Sequence, residues 1–347
     1  MQDAAPLTPV REAHRFDEAS LRAYLRGRLP GCEDGIEVLQ FEGGQSNPTY
    51  RLVAGERCYV LRKKPPGKLL PSAHQVEREY RVMSALQGSD VPVPRTRLLC
   101  DDPNVIGTPF YVMDYVDGRV ITDARMPNLT REKRSALYAD FVRVLAALHQ
   151  LDPAAIGLAD FGRPGNYYAR QIARWSSQYQ ASQTEDIASM KALMDWLPSH
   201  IPDSDESGVV HGDYRIGNCI VHPREPRVVA VLDWELSTLG HPLGDLAYFC
   251  QGYHGEAVPG ESLVGVDLAS LGIPDEAAVL ARYCELTGRE RIDDWSFYLV
   301  FVMFRSAAIV QGVYKRGLDG NAASQRAQEY GALVRRRADQ ALALAQR

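Results

Sequence analysis

Three side chains suited to one reaction stand close together in this chain. Asp213 lies in Val209-Val210-His211-Gly212-Asp213, Asn218 follows five positions later, and Asp233 comes fifteen beyond that in Asp233-Trp234-Glu235. A carboxylate, an amide and a second carboxylate are what phosphoryl transfer asks of a protein: a base for the attacking hydroxyl and two oxygen donors for Mg²⁺ beside the phosphates of a nucleotide. An aspartate beside a strand end is also a common turn former or helix cap, so either aspartate alone would carry little weight. The pattern around them carries more. The apolar runs Cys219-Ile220-Val221 and Val228-Val229-Ala230-Val231-Leu232 flank a turn, His222-Pro223-Arg224-Glu225-Pro226. They predict a hairpin that returns Asp233 to the end where Asn218 sits.

The elements that must position these groups follow a simple order. Gly35 to Phe41 alternates as a strand, Tyr50 to Ala54 begins a second and Cys58 to Arg62 a third. His74 to Leu86 has apolar residues at helical spacing, and two further strands are expected around Arg97 to Cys100 and Phe110 to Tyr115. This is a five-strand, one-helix lobe ending near Asp117-Gly118. Amphipathic helices are expected at about 130–150, 165–197, 275–287, 292–316 and 321–345, with boundaries good to roughly 2–4 residues. The fold class expected is α+β and bilobal: an N-terminal nucleotide-binding lobe over residues 1–117, with a helical lead-in, and a helical catalytic and acceptor-binding lobe over 118–347. The opposing halves predict a cleft between them.

Composition narrows the partners. The 347 residues are 45% hydrophobic and 24% charged, with a formal net charge of −5, as in an ordinary globular protein. No lysine- and arginine-rich run is present to track a nucleic-acid backbone, so no nucleic-acid partner is expected. The N-terminus lacks the pattern of a secretion signal, and the best apolar stretch, Leu299 to Phe304, is stopped by Arg305. The expectation is a cytoplasmic protein without a membrane partner, its oligomeric state left open. Six scattered cysteines without a C-x-x-C pair read as reduced core residues rather than zinc ligands or disulfides.

Between the first two strands lies Glu42-Gly43-Gly44-Gln45-Ser46-Asn47-Pro48-Thr49. Adjacent glycines let a backbone approach a phosphate closely, and Ser46 and Asn47 offer donors. The same string would also make a plain Gly-Gly hairpin turn. Neither G-x-x-x-x-G-K-[ST] nor G-x-G-x-x-G occurs, which removes the two commonest nucleotide-binding loops.

From about Gly35 to Cys250 the chain resembles the aminoglycoside phosphotransferase family, a branch of the protein-kinase-like fold that phosphorylates small-molecule hydroxyls with ATP. The resemblance is carried by H-G-D-x-x-x-x-N at 211–218 and by the Asp233-Trp234-Glu235 triplet. The strings from Phe41 to Tyr50, Leu61 to Gly67 and Leu70 to His74 are most similar to the kinase-like domain fused ahead of acyl-CoA dehydrogenases in animals and to its free-standing bacterial relatives. The resemblance implies ATP and Mg²⁺ as cofactors, Asp213 as catalytic base and Asn218 and Asp233 as metal ligands. It also implies that Gly43, Gly44, Gln45, Ser46 and Asn47 cover the phosphates. The phosphate-gripping lysine of the fold falls on Arg62, paired with Glu79, with Glu77 as the competing partner. Lys63 would face the other side of the strand. An arginine keeps its charge when desolvated and can grip two oxygens. The competing reading of Arg62-Lys63-Lys64 is a solvated basic edge. By the same resemblance the Asp114 carbonyl and Val116 N–H bond adenine, and Arg215 is either a second cation at the transferred phosphate or a surface arginine. His211 is expected to orient the loop, and Asp245 to cap a helix or anchor that loop.

Three readings compete: a small-molecule kinase, a protein kinase and a non-catalytic nucleotide-binding module. His-Gly-Asp lacks the arginine that reads an activation-loop phosphate, and only eleven residues separate Asp233 from Asp245, too few for a regulatory loop and peptide shelf. A dead binder has no chemical need for base and both metal ligands. The first reading is favoured, with a small-molecule hydroxyl as acceptor. Residues 119–200 hold ten Arg or Lys against eight Asp or Glu. That suits an anionic or neutral acceptor better than a polycationic aminoglycoside. Together with the resemblance to kinase-like domains joined to acyl-CoA dehydrogenases, it makes a hydroxyacyl-CoA thioester the leading candidate, with an aminoglycoside or other small alcohol as the alternative.

Overall fold

The computed structural model describes residues 6–42, 47–65, 74–255, 260–319 and 327–347, the side chains of 327–329 excepted. Gly43, Gly44, Gln45 and Ser46 lie outside the described residues, as do 1–5, 66–73 and the first part of the helix expected at 321–345. The chain forms two compact units. The first comprises Met1–Ile121, Ile156–Leu158 and Gly217–Ser237; the second comprises Thr122–Ala155, Ala159–Ile216 and Thr238–Arg347. The first unit thus runs a few residues past 117 and takes in the hairpin that carries Asn218 and Asp233.

The first unit is built on an antiparallel sheet of six strands, one more than the five expected. These are β1 (Leu7–Thr8), β2 (Glu37–Phe41), β3 (Thr49–Ala54), β4 (Arg57–Lys63), β5 (Thr96–Cys100) and β6 (Phe110–Asp114), in the order β1-β2-β3-β4-β6-β5. The added strand is only two residues long and pairs Leu7 with Phe41 and Thr8 with Gln40. Two residues carry no readable alternation, so only the pairing reveals it. Helix α1 (Glu18–Leu25), N-capped by Asp17, buries Leu21 and Leu25 with Tyr50, Leu52, Tyr59, Leu61, Phe110 and Val112 in one core. Helix α2 (Val76–Ala85) packs on β5 and β6 and buries Val82 and Met83. A single turn, α3 (Pro103–Ile106), links β5 to β6.

A second, three-stranded sheet in this unit holds the hairpin. Strand Cys219–Val221 pairs with Val228–Val231 on one side and with β7 (Arg119–Val120) on the other. Gly118, just before β7, is required by close approach: a Cβ there would collide with the Ile220 side chain and the Val221 carbonyl.

The second unit is mainly helical: α4 (Arg131–His149), α5 (Tyr167–Ser182), α6 (Ala188–Trp196), α7 (Leu243–Cys250), α8 (Leu268–Leu271), α9 (Glu276–Thr287), α10 (Trp295–Leu318) and α11 (Ala327–Ala345). A two-stranded ribbon pairs Gly208–Val210 with Thr238–Gly240. The single helix expected over 165–197 is two helices. The break has a tertiary cause, because the buried Gln311 amide donates to the Ser182 carbonyl at 2.7 Å and to Thr184 Oγ1 at 3.1 Å, satisfying the end of α5. Helix α10 is long and apolar enough to cross a bilayer, yet most of it is buried against α5, α7 and α11. All six cysteines are free thiols.

His241, between the ribbon and α7, stacks on Tyr298 at a centroid distance of 5.3 Å. Its Nδ1 accepts from the Leu243 N–H at 3.3 Å, leaving Nε2–H to donate to Ser204 Oγ at 3.1 Å, so the ring is satisfied while neutral. Burial, with Arg289 and His149 adding to it, pushes its pKa down to about 4, against the opposing pull of Glu206 and Asp205. The unfolded chain binds this proton near pH 6.5 and the folded one does not, so stability is lost as pH falls from about 6.5 toward 4, by up to about 3 kcal/mol. Urea midpoints measured across that window should fall more steeply for the wild type than for His241→Gln. Parallel curves would refute the assignment.

Candidate active site

Strand alternation in β4 settles which cation faces the site. Tyr59, Leu61 and Lys63 point into the core under α1, while Val60 and Arg62 line a pocket of ≈310 Å³ on the other face. Lys63 is 3% exposed with Nζ 5.6 Å from the Phe16 ring centroid, and burial lowers its pKa. The basic-edge reading therefore fails for Lys63. Lys64 pairs with Glu77 at 2.6 Å, which removes Glu77 as a partner for Arg62.

Arg62 bridges two carboxylates. Its Nε lies 3.2 Å from Glu79 Oε2 and its Nη2 donates to Asp233 Oδ1 at 2.7 Å, with Glu235 at 4.0 Å. Glu79, 1% exposed, also accepts from Asn47 Nδ2 at 2.8 Å and from the Tyr111 hydroxyl at 3.1 Å. Burial pushes the Glu79 pKa up to about 7; Arg62 pulls it back, and Asp233 and Glu235 add to the rise. For Arg62 burial opposes the charge, but Glu79, Tyr111 and Asp233 outweigh it and raise the pKa. The guanidinium is thus ionised and held in place.

Asn47 takes a different part from the one expected. It is fully buried, with its amide oxygen 3.0 Å from His74 Nδ1 and its amide nitrogen on Glu79. Its side chain is tied to Glu79 on α2 and to His74. Tyr111 and Asn47 as supports of Glu79, and His74 as a support of Asn47, were missed in the sequence, because no spacing rule links residues 32 and 27 positions apart.

The hairpin performs as its pattern predicts. Val231 pairs with Cys219, and the Leu232 N–H donates to the Asn218 carbonyl at 2.8 Å, so Asn218 and Asp233 sit at the same end. Both line the pocket, together with Asp114, Val116 and Gly118. Asp233 adopts φ 65°, ψ 57°. That left-handed conformation costs most side chains roughly 1–2 kcal/mol and is least costly for Asp, Asn and Gly, a strain typical of functional positions. The Asp114 carboxylate is held by Arg97 through two bonds of 2.7 Å, which leaves backbone groups to meet a ligand here. Two oxygen donors in one pocket fit Mg²⁺, which takes one or two protein ligands and fills its octahedron with water and phosphate oxygens. Among the described residues no group of three or more His, Cys, Asp or Glu forms a metal cage.

In the second unit, the loop carrying Asp213 is anchored by backbone bonds. Asp245, on α7, accepts the N–H groups of His211 at 2.6 Å and Gly212 at 2.8 Å. His149 Nε2 lies 3.4 Å from Asp245, and His149 Nδ1 is 2.8 Å from the Tyr283 hydroxyl. Burial opposes the Asp245 charge, but His149 and the loop outweigh it and its pKa is lowered. His211 Nδ1 accepts the Asp213 N–H at 3.1 Å, a loop-orienting role. Gly212 has φ 83°, open to glycine at little cost. The Asp213 carboxylate lies 3.6 Å from Arg215 Nε and adds to burial in raising the pKa of the neighbouring Tyr248 phenol. Arg215 also pairs with Glu261 at 2.9 Å, so its charge is shared between two carboxylates and it is no surface arginine.

The charge count over 119–200 loses force in the structure. Arg125 pairs with Asp123 at 2.8 Å and Arg143 with Asp140 at 2.6 Å. Arg134 is buried on the carbonyls of Met126 and Leu129, and Arg170 donates to the Arg163 carbonyl. Much of the segment's positive charge serves local structure.

The profile of the phosphotransferase enzyme family matches residues 37–292. Acyl-CoA dehydrogenase family member 10 of Mus musculus is 45% identical over 332 residues, covering 94% of this chain and 31% of that protein. Acyl-CoA dehydrogenase family member 11 of Homo sapiens is 42% identical over 347 residues, covering 98% of the chain and 44% of that protein. The chain therefore spans less than half the length of these relatives. Among solved structures, a Ralstonia eutropha protein provisionally named an aminoglycoside phosphotransferase shares 48% identity with a TM-score of 0.87, covering 96% of this chain and 99% of its own. A thermostable variant of aminoglycoside phosphotransferase APH(4)-Ia, in ternary complex with ADP and hygromycin B, shares the fold at 17% identity and a TM-score of 0.61, over 94% of this chain and 98% of its own.

Proposed function

The chain belongs to the phosphotransferase enzyme family, and from that premise we propose that it is a small-molecule kinase that moves the γ-phosphate of ATP to a substrate hydroxyl. The observation that carries the reading is the Glu79–Arg62–Asp233 chain in the pocket shared with Asn218. A fixed cation and two oxygen donors converging on one apolar-walled pocket suit a nucleotide triphosphate with its metal.

In this mechanism the adenine lies against the Asp114–Val116 connector and Arg62 grips the phosphates. Asn218 and Asp233 would hold Mg²⁺, which when bound neutralises charge on the phosphate oxygens. Asp213 takes the proton of the acceptor hydroxyl. As the acceptor oxygen bonds the γ-phosphorus, the bond from that phosphorus to the β–γ bridging oxygen breaks and ADP leaves with the electron pair. Tyr248 and Arg215 hold the Asp213 carboxylate in place.

For the acceptor we favour a hydroxyl on an anionic small molecule, with a hydroxyacyl-CoA thioester first. Support comes from the similarity to proteins named as acyl-CoA dehydrogenase family members. The competing acceptor is an aminoglycoside, which the provisional name of the Ralstonia relative suggests. Steady-state kcat/KM for hydroxyacyl-CoAs, free hydroxy acids, sugars, choline and kanamycin-type compounds in one buffer decides between them. Faster turnover of a cationic acceptor than of every thioester would overturn the acceptor and leave the kinase reading standing.

Nucleotide binding has its own test. At 100 times Kd a ligand adds about 2.7 kcal/mol, so millimolar Mg-ATP should raise the melting temperature by several degrees. No shift at millimolar Mg-ATP would count against the pocket as a nucleotide site.

A further inference from the structure

From Trp295 to Tyr314, twenty residues of α10, Arg305 is the single ionised side chain. It is 7% exposed, and its Nε is buried without a hydrogen-bond partner. A buried guanidinium with an unsatisfied donor costs free energy, and packing alone would be better served at this position by Leu or Met. What Arg305 contacts indicates why it is there. Its Nη2 donates to the Gly212 carbonyl at 2.6 Å, the peptide group that immediately precedes Asp213. Its Cζ lies 5.5 Å from the ring centroid of Trp175 on α5 and 5.7 Å from that of Tyr248 on α7. Tyr248 in turn neighbours the Asp213 carboxylate, which adds to burial in raising the phenol's pKa.

We propose that Arg305 is a positioning residue for phosphoryl transfer, holding the Gly212–Asp213 peptide from its carbonyl side and seating Tyr248 against the Asp213 carboxylate. Asp245 grips the same loop through the N–H groups of His211 and Gly212. The two clamps act on opposite edges of one backbone turn whose glycine, at φ 83°, has little intrinsic preference of its own. Without Arg305 the Gly212–Asp213 peptide keeps the bond from its N–H to His211 Nδ1 but loses the donor that holds its carbonyl, so the aim of the carboxylate loosens. The inference rests on the reading of Asp213 as base. It adds a residue from a helix 92 positions further along the chain (305 − 213).

A double-mutant cycle separates this from a purely structural role. Rates are read as ADP release from Mg-ATP with the fastest acceptor of the panel above. Arg305→Met should lower kcat by about 10- to 100-fold, the scale of a small misplacement of a reacting group, with KM for ATP and the Mg-ATP melting shift within about twofold of wild type. Arg305→Lys, which keeps a donor for the Gly212 carbonyl, should recover part of the loss. In an Asp213→Asn background the same Arg305→Met change should cost less than about threefold, because the group it aims is already gone. Wild-type kcat in Arg305→Met, or an equal loss in both backgrounds, would overturn the proposal. If Arg305→Met does not fold, the cycle is read with Arg305→Lys, where additivity has the same force. A wild type whose ADP release no acceptor of the panel raises above the rate with water alone would instead overturn the phosphotransfer reading on which the proposal stands.

Discussion

Asp213→Asn should lower kcat by about 10²- to 10⁴-fold with little change in ATP affinity, the range expected when a general base is removed. The substitution keeps the shape of the side chain. The loop itself is held through backbone groups by Asp245 and Arg305, none of which depends on the Asp213 carboxylate. The fold should therefore survive, and the loss should fall on the chemical step. Positioning carries much of phosphoryl transfer, so a loss near the low end remains consistent with the role. Near-wild-type kcat in a folded variant, with chemistry shown to be rate-limiting, would remove Asp213 from the mechanism.

Asp233→Asn should reduce metal-dependent turnover by roughly 10²-fold or more, the scale of losing one electrostatic contact in the transition state. Asn is the informative replacement because it tolerates the left-handed backbone at φ 65°, which Ala would strain. The change removes one charge and leaves Arg62 paired with Glu79. Asp233 is about a third exposed, so its ion pair with Arg62 contributes little to stability and the melting temperature should move by only a degree or two. Titrating Mg²⁺ at fixed ATP gives the readout. An unchanged metal dependence would show that Asp233 serves Arg62 and not the ion.

The conservative exchange of Arg62 for Lys is a further discriminating variant. Lysine can replace one of the two contacts that Arg62 makes, to Glu79 and to Asp233, but not both at once. KM for ATP should rise several-fold while the sheet remains intact.

Much of this protein was readable without coordinates where a short-range rule applies. Two apolar runs on either side of a five-residue turn made the hairpin legible, and with it the meeting of Asn218 and Asp233, whereas the register shift between Val228 and Ala230 has no sign in the sequence. Alternation in β4 likewise determined that Arg62 and Lys63 face opposite ways. The choice of Glu79 over Glu77 followed from helical geometry applied to a resemblance, and the structure assigns Glu77 to Lys64. Other features were decided only by tertiary contact. Strand β1 exists because β2 offers an edge, and the 165–197 helix breaks because Gln311 satisfies its carbonyl from another helix. Asn47 turned inward because His74 and Glu79 meet it there. The arginines of 119–200 could be counted but not assigned, since a carbonyl or carboxylate partner that consumes a charge is invisible in composition. Arg305 shows the difference most plainly: in the sequence it is an interruption in an apolar run, and only the packing of α5, α7 and α10 brings its guanidinium to the peptide before Asp213.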